Sequence, residues 1–224
     1  MQIVESPAFR EEILKAMAAR EFKERLGVHC TDLIYCLNKQ AWRRLTGAMP
    51  TDQELLLYSL GWATQRWITG TFVPEKEYVV DGITVTPDSS TVDGVKPWEL
   101  KTTYASSTHS IETMLHWLRQ LMAQCKVTGA TEAYLSRLEL MGDWGWVYGT
   151  KEKKKTAQHP TLSAYLIIFT PEEIVVNWAW LLMRKARFEK ILTTGQMLPK
   201  QLALAPGQEW ECGYCPRKDS CDAE

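Results

Sequence analysis

Thr86-Pro87-Asp88 and Trp98-Glu99-Leu100-Lys101-Thr102-Thr103, with Glu99 eleven residues beyond the aspartate, sit where the hydrophobic pattern of this 224-residue chain turns from helical to strand-like. Successive side chains of a strand point to opposite faces, so Glu99 and Lys101 share one face while Leu100 turns to the core. Upstream, Tyr78-Val79-Val80 and Ile83-Thr84-Val85 flank the turn dipeptide Asp81-Gly82, a hairpin signal. Asp88 then falls at the end of the preceding hairpin strand, where it meets Glu99 from the side. Two converging carboxylates make a hard, oxygen-rich site suited to Mg²⁺ or Mn²⁺. A neighbouring lysine orients or helps deprotonate a water and offsets charge developing on a phosphate, the parts that phosphodiester hydrolysis needs. E-x-K alone arises often by chance as an ion pair on an amphipathic strand; its weight depends on the rest of the chain.

Outward from this stretch the pattern reads helix, strand, helix. Before it, Ala8 to Leu26 is an amphipathic helix, Thr31 caps a second to about Leu45, and Thr51 or Asp52 opens a third that Gly70 stops after about Ile68. After it, Trp98 to Tyr104 is a strand and His109 to Val127 a helix. Glu132 to Met141 and Leu162 to Phe169 are strands, and Thr170-Pro171-Glu172-Glu173 opens a long helix to about Ile191. The tail from Gly195 reads as irregular. Neither a repeat nor a low-complexity linker interrupts this order.

Hydrophobic residues are 45% and charged residues 24% of the chain, an ordinary globular balance with length enough for one full core. Lacking a run of about 18 apolar residues and the order of a secretory signal, the chain is expected to be cytoplasmic, with no membrane partner. The net charge of −1 offers no global attraction for nucleic acid, so any such partner would need a local basic groove. Ten tryptophans read mainly as core, in part as stacking platforms for bases.

The six cysteines are Cys30, Cys36, Cys125, Cys212, Cys215 and Cys221, and the last three form C-x2-C-x5-C. Three thiolates within ten residues of an intracellular chain suggest a metal rather than disulfides. A four-coordinate site then lacks one ligand, for which Cys36 is the foremost candidate and Cys30 an alternative. Zinc and an iron–sulfur cluster both suit such a site. Cys125, on the apolar face of its helix, reads as a small buried hydrophobe. Lys39, Arg43 and Arg44 would join Arg217 and Lys218 in a basic patch if Cys36 and Cys215 share a metal, and Lys151 to Lys155 reads as a charged loop. The histidines show no mutual metal spacing.

An early lone cysteine, a PD-(D/E)XK-like stretch and a terminal C-x2-C-x5-C together resemble the iron–sulfur RecB-like nucleases, and most of all the CRISPR-associated RecB-like exonucleases of spacer acquisition. The likeness runs from Thr31 to Cys221; Thr31-Asp32-Leu33-Ile34-Tyr35-Cys36 with Lys39 and Trp42 is similar to that family's opening segment. It implies an α/β fold, a restriction-endonuclease-like core with a central mixed sheet flanked by helices. The single nuclease domain would have its core at about 51–195 and a small Fe–S-bound helical subdomain from about 28–50 plus 196–224. It implies Cys36, Cys212, Cys215 and Cys221 as cluster ligands, Asp88 and Glu99 as metal ligands and Lys101 as catalytic. Four thiolates serve both cluster types, with 4Fe–4S preferred here to 2Fe–2S.

The family's G-x3-H metal ligand is matched by Gly61-Trp62-Ala63-Thr64-Gln65, where Gln65 stands for the histidine. Of its Q-x3-Y motif, Gln120 fits the glutamine, while Gln124 takes the tyrosine position. The implied activity is a 5′→3′ exonuclease on single-stranded DNA with some endonuclease cutting, serving antiviral defence. Its partners would be DNA and the CRISPR adaptation integrase, with homo-oligomers open. Alternatives are a RecB-type repair or phage nuclease outside CRISPR, and a catalytically weakened Fe–S DNA-binding module.

Overall fold

The computed structural model describes residues 6–21, 26–70, 76–91, 94–104, 109–140 and 160–223. Sequence expectations for Lys151 to Lys155, the nearby Trp144, Trp146 and Tyr148, and His159 lie outside these residues. The order is α1 (Pro7–Glu21), β1 (Val28–His29), α2 (Cys30–Ile34), α3 (Leu37–Thr46), α4 (Asp52–Thr69), β2 (Tyr78–Val80), β3 (Ile83–Val85), β4 (Ser89–Ser90) and β5 (Pro97–Tyr104). Then come α5 (Leu115–Thr128), β6 (Glu132–Leu140), β7 (Thr161–Ile168) and α6 (Pro171–Thr194). Short helices at Lys200–Ala203 and Lys218–Ala223 follow, with a 3₁₀ turn at Glu209–Tyr214 between them, so the tail is less irregular than its prolines suggest.

The architecture is mixed α/β, with two sheets and flanking helices. β1, β3 and β2 form a small sheet, and β4-β5-β6-β7 a four-stranded one in which β5 and β6 are parallel and the other pairs antiparallel. The expected hairpin and the strand carrying Glu99 therefore fall in different sheets. The β2–β3 hairpin turns on Asp81 (φ 50°) and Gly82 (φ 71°), a left-handed pair suited to a tight turn. The chain then crosses at Pro87-Asp88 into the second sheet.

Helix starts follow their capping chemistry. Thr51 and Thr170 each accept from the backbone three residues on, and Glu54 and Glu173 reciprocate. The expected single helix from Thr31 to Leu45 is broken in two. His29 is the cap of α2 and Asp32 its reciprocal partner, while Tyr35 is extended and Cys36 caps α3.

One core cluster joins α2, the β1–β3 sheet and α6 through Leu33, Ile34, Ile83, Leu181 and Phe188. A second lies between α5 and the larger sheet, with Leu121, Cys125, Leu135 and Ile174. Helix α5 thus has neighbours on several sides, packing on α2, α6, β5 and β6. No described helix is long and apolar enough to cross a membrane.

Candidate active site

Glu99 is carried by β5, and Asp88 by the bend just before β4 rather than by the end of a hairpin strand. Ser89 pairs with Trp98, so one step along this antiparallel register sets Asp88 across from Glu99. Asp88 Oδ2 accepts from the Leu100 backbone N–H at 2.8 Å, which turns its carboxylate toward the strand that carries Glu99 and Lys101. Glu99 is only 2% exposed. Its Oε1 accepts from Lys101 Nζ at 2.6 Å and from Gln120 Nε2 at 2.7 Å, and its Oε2 accepts from Gln124 Nε2 at 2.5 Å. Gln120 Oε1 in turn accepts from Lys101 Nζ at 2.9 Å. Both amides come from α5, one turn apart, where residues spaced by four share a face.

Burial by itself would drive the Lys101 ammonium toward neutrality. The carboxylate of Glu99, the charge of Asp88 and the hydrogen bond to Glu99 outweigh it and hold the lysine above its ordinary value. Lys101 is therefore an ammonium in this ring of acceptors, suited to orienting and charge compensation rather than to taking up a proton. Burial raises Tyr35, which lies within electrostatic reach of Lys101 and Glu99. Gln65 is half-buried on α4, a helix packed on β5.

Gln120 is thus buried rather than solvated. Gln124, a departure from the family motif in sequence, is fully buried and holds the second oxygen of Glu99. Spacing from Gln120 was the one signal for it.

The cysteines separate by position. Cys36, Cys212, Cys215 and Cys221 line one cavity together with Lys39, Lys200, Arg217, Lys218 and Glu211. Cys30 instead sits in the core cluster, where burial pushes its thiol up to about 12 with Glu99 adding to the effect. Cys125 is a buried core residue, as expected. None of the six cysteines is in a disulfide, and no group of three or more His, Cys, Asp or Glu among the described residues is closed into metal-holding geometry.

The tail that brings three of these cysteines is clasped to the N-terminal segment by polar groups. Arg184 of α6, 2% exposed, donates to the carbonyls of Leu33, of Tyr35 at 2.6 Å, of Ala203 at 2.9 Å and of Leu204 at 3.3 Å. Asn38 exchanges two hydrogen bonds with the Leu198 backbone, at 2.7 and 2.9 Å. Glu211 accepts from Cys36 N at 3.0 and 3.3 Å, and burial pushes its carboxyl up to about 7.

The basic patch is smaller than its sequence suggests. Arg43 pairs with Glu54 at 2.5 Å, and Arg44 with Asp32 at 2.6 Å, so both are committed to bridges within the fold. Lys39, Arg217 and Lys218 do gather, around the cysteine cavity.

No family model and no curated protein matches the chain. Among solved structures, the crystal structure of SSO0001 aligns over 96% of this chain and 96% of that one, with 17% identity and a TM-score of 0.55, which shows a shared fold. The alkaline exonuclease LHK-Exo from Laribacter hongkongensis aligns more loosely, at a TM-score of 0.42 and 15% identity over 82% of this chain and 94% of that one. LHK-Exo in complex with dAMP aligns at 0.42 and 16% identity over the same shares.

Proposed function

We propose that this chain is a metal-dependent DNA nuclease of the PD-(D/E)XK, RecB-like kind, acting as a 5′→3′ exonuclease on single-stranded DNA. The observation that carries the reading is the hydrogen-bonded cluster of Glu99, Lys101 and Gln120, with Asp88 held beside it by the backbone N–H of Leu100, the residue between Glu99 and Lys101. A structural ion pair would need only Glu99 and Lys101. The added aspartate and the two α5 amides make an oxygen-rich site whose side chains are fixed in advance.

Asp88 and Glu99 would hold Mg²⁺ or Mn²⁺, with Gln65 as a further oxygen. The donor set suits these hard cations, for carboxylate and carbonyl oxygens are their preferred ligands. When bound, such an ion supplies Lewis acidity at a phosphoryl oxygen and lowers the pKa of a water. The chain's own part is positional. Gln120 fixes the amide–carboxylate–ammonium triangle, and Lys101 presents a positive charge where a pentavalent phosphate would gather negative charge.

Cys36, Cys212, Cys215 and Cys221 would hold an iron–sulfur cluster, 4Fe–4S by preference, in a subdomain formed from about 28–50 and 196–224. What supports this is four thiols on one cavity whose wall also carries Lys39, Lys200, Arg217 and Lys218, cations that would offset thiolate charge. The cluster's role in this reading is structural. A place in CRISPR spacer acquisition, cytoplasmic and beside the adaptation integrase, rests on the motif resemblance of the whole chain.

The test is degradation of end-labelled single-stranded DNA with Mg²⁺ or Mn²⁺ by the wild type, Glu99→Ala and Lys101→Ala. The wild type should shorten the strand from its 5′ end, and each variant should lose activity by at least about 100-fold. Variants that cut like the parent would remove Glu99 and Lys101 from the chemistry. Visible absorbance with iron and zinc analysis of the purified protein separates a cluster from zinc.

A further inference from the structure

Gln124 has two ends with different fates. Its side chain is fully buried, and its Nε2 donates to Glu99 Oε2 at 2.5 Å. That bond fixes the amide's orientation, because exchanging the two groups would set an oxygen against a carboxylate oxygen. Gln124 Oε1 is then a buried acceptor without a hydrogen-bond partner among the described residues. Leaving a buried amide oxygen unmatched is costly, so such an atom in a native fold calls for a ligand. The two ends of an amide are only about 2.3 Å apart, so Oε1 stands beside the Glu99 carboxylate. Gln120, its neighbour one turn earlier, has both ends engaged and leaves no comparable atom.

We infer that Gln124 is a positioning residue of the divalent-cation site: its N–H end orients Glu99, and its oxygen accepts a hydrogen bond from a water on the cation. This rests on the nuclease reading and deepens it. A small hard cation keeps several waters in its shell, and a fixed acceptor selects which direction one of them faces. Partners that orient ligands in this way commonly contribute about 10–100-fold to metal affinity or activity. A glutamine at the family's tyrosine position is, on this account, a different solution to the same positioning task.

The experiment uses the full chain as wild type, Gln124→Met and Gln124→Glu. Mn²⁺ binding is followed by the loss of the free-ion electron paramagnetic resonance signal, folding by thermal unfolding, and DNA degradation as separate kcat and KM. Gln124→Met keeps size and loses both polar ends; it should bind Mn²⁺ about 10–100-fold more weakly and lose kcat by a similar factor, with KM for DNA unmoved. Gln124→Glu sets a second carboxylate against Glu99 Oε2, where the two share one proton; that proton replaces the amide donor and the other oxygen keeps the acceptor, so this variant should recover most of the Mn²⁺ affinity. Should Gln124→Met not fold, Gln124→Asn, which withdraws the same amide by one methylene, is expected to show the same loss. Wild-type Mn²⁺ affinity in Gln124→Met, or equal weakness of Gln124→Met and Gln124→Glu, would overturn the inference. A wild type that neither binds Mn²⁺ nor cuts DNA would instead overturn the nuclease reading, and this inference with it.

Discussion

Replacing Arg184 by Met should loosen the clasp that holds the cysteine-bearing tail on the N-terminal segment, and the size of the effect can be worked out. The guanidinium reaches carbonyls of Leu33, Tyr35, Ala203 and Leu204, from two segments far apart in sequence. Hydrogen bonds to a charged group contribute about 1.5 kcal/mol each at the low end, so four amount to roughly 6 kcal/mol. Against this, burial lowers the Arg184 pKa well below its ordinary value, to about 10, a penalty of about 3 kcal/mol on the charged form. Methionine recovers that penalty and keeps much of the packing, so the net loss should be about 3 kcal/mol. In a chain of this size that corresponds to a Tm lower by about 6–12 °C. Urea unfolding gives the free energy, and alkylation of the Cys36 thiol read by mass spectrometry gives the local effect, since Cys36 is 9% exposed and should become reactive. A variant within about 1 kcal/mol of wild type, below the low end for even one charged hydrogen bond, would refute the reasoning. So would a Cys36 as slow to react as in the parent.

Two further outcomes follow from buried polar groups. His116 is held neutral, its pKa lowered to about 4 by burial and then by the charges of Lys101 and Arg119. Its folded value lies below the unfolded one, so the unfolded chain takes up the extra proton as pH falls, and stability present above about 6.5 is lost below it. Between pH 6.5 and 5 the wild type should lose about 2 kcal/mol more than His116→Gln; parallel urea curves at the two pH values would count against a neutral buried imidazole. Asn38→Ala deletes both bonds to Leu198 and should cost about 2 kcal/mol, with faster hydrogen exchange at the Leu198 amide as its specific sign. Unchanged exchange there would mean that the clasp does not depend on Asn38.

What the sequence revealed, it revealed through local rules. Alternation alone set Glu99 and Lys101 on one face, and Asp81-Gly82, Thr51 and Thr170 announced a turn and two helix starts, because each of those choices is made within four residues. The break at Tyr35-Cys36 is different. No glycine or proline marks it, and the groups that take up its backbone are Arg184, 149 residues away from Tyr35, and Glu211, 175 residues from Cys36. Gln124 was legible only as a departure from the motif's tyrosine, and its burial was not legible for a related reason: only the packing of α5 on α2, α6 and the larger sheet turns that face inward. The division of the strands into two sheets likewise depends on register, which is set by partners and not by the strands' own residues.

The same distant contacts explain why two sites that look separate in the sequence belong together. Leu33 to Cys36 is one short segment with two clients. Cys36 lines the cysteine cavity, while Tyr35, the residue before it, packs its ring 5.8 Å from that of His116 and lies in the electrostatic surroundings of Lys101. Arg184 holds the Leu33 and Tyr35 carbonyls, and Glu211 holds the Cys36 amide, so the segment has little freedom to move at one end alone. A close-packed interior transmits such a constraint rather than absorbing it. Whatever orders the tail at the cavity therefore also bears on the surroundings of Lys101, and the cysteines need not take part in any chemistry to matter for them.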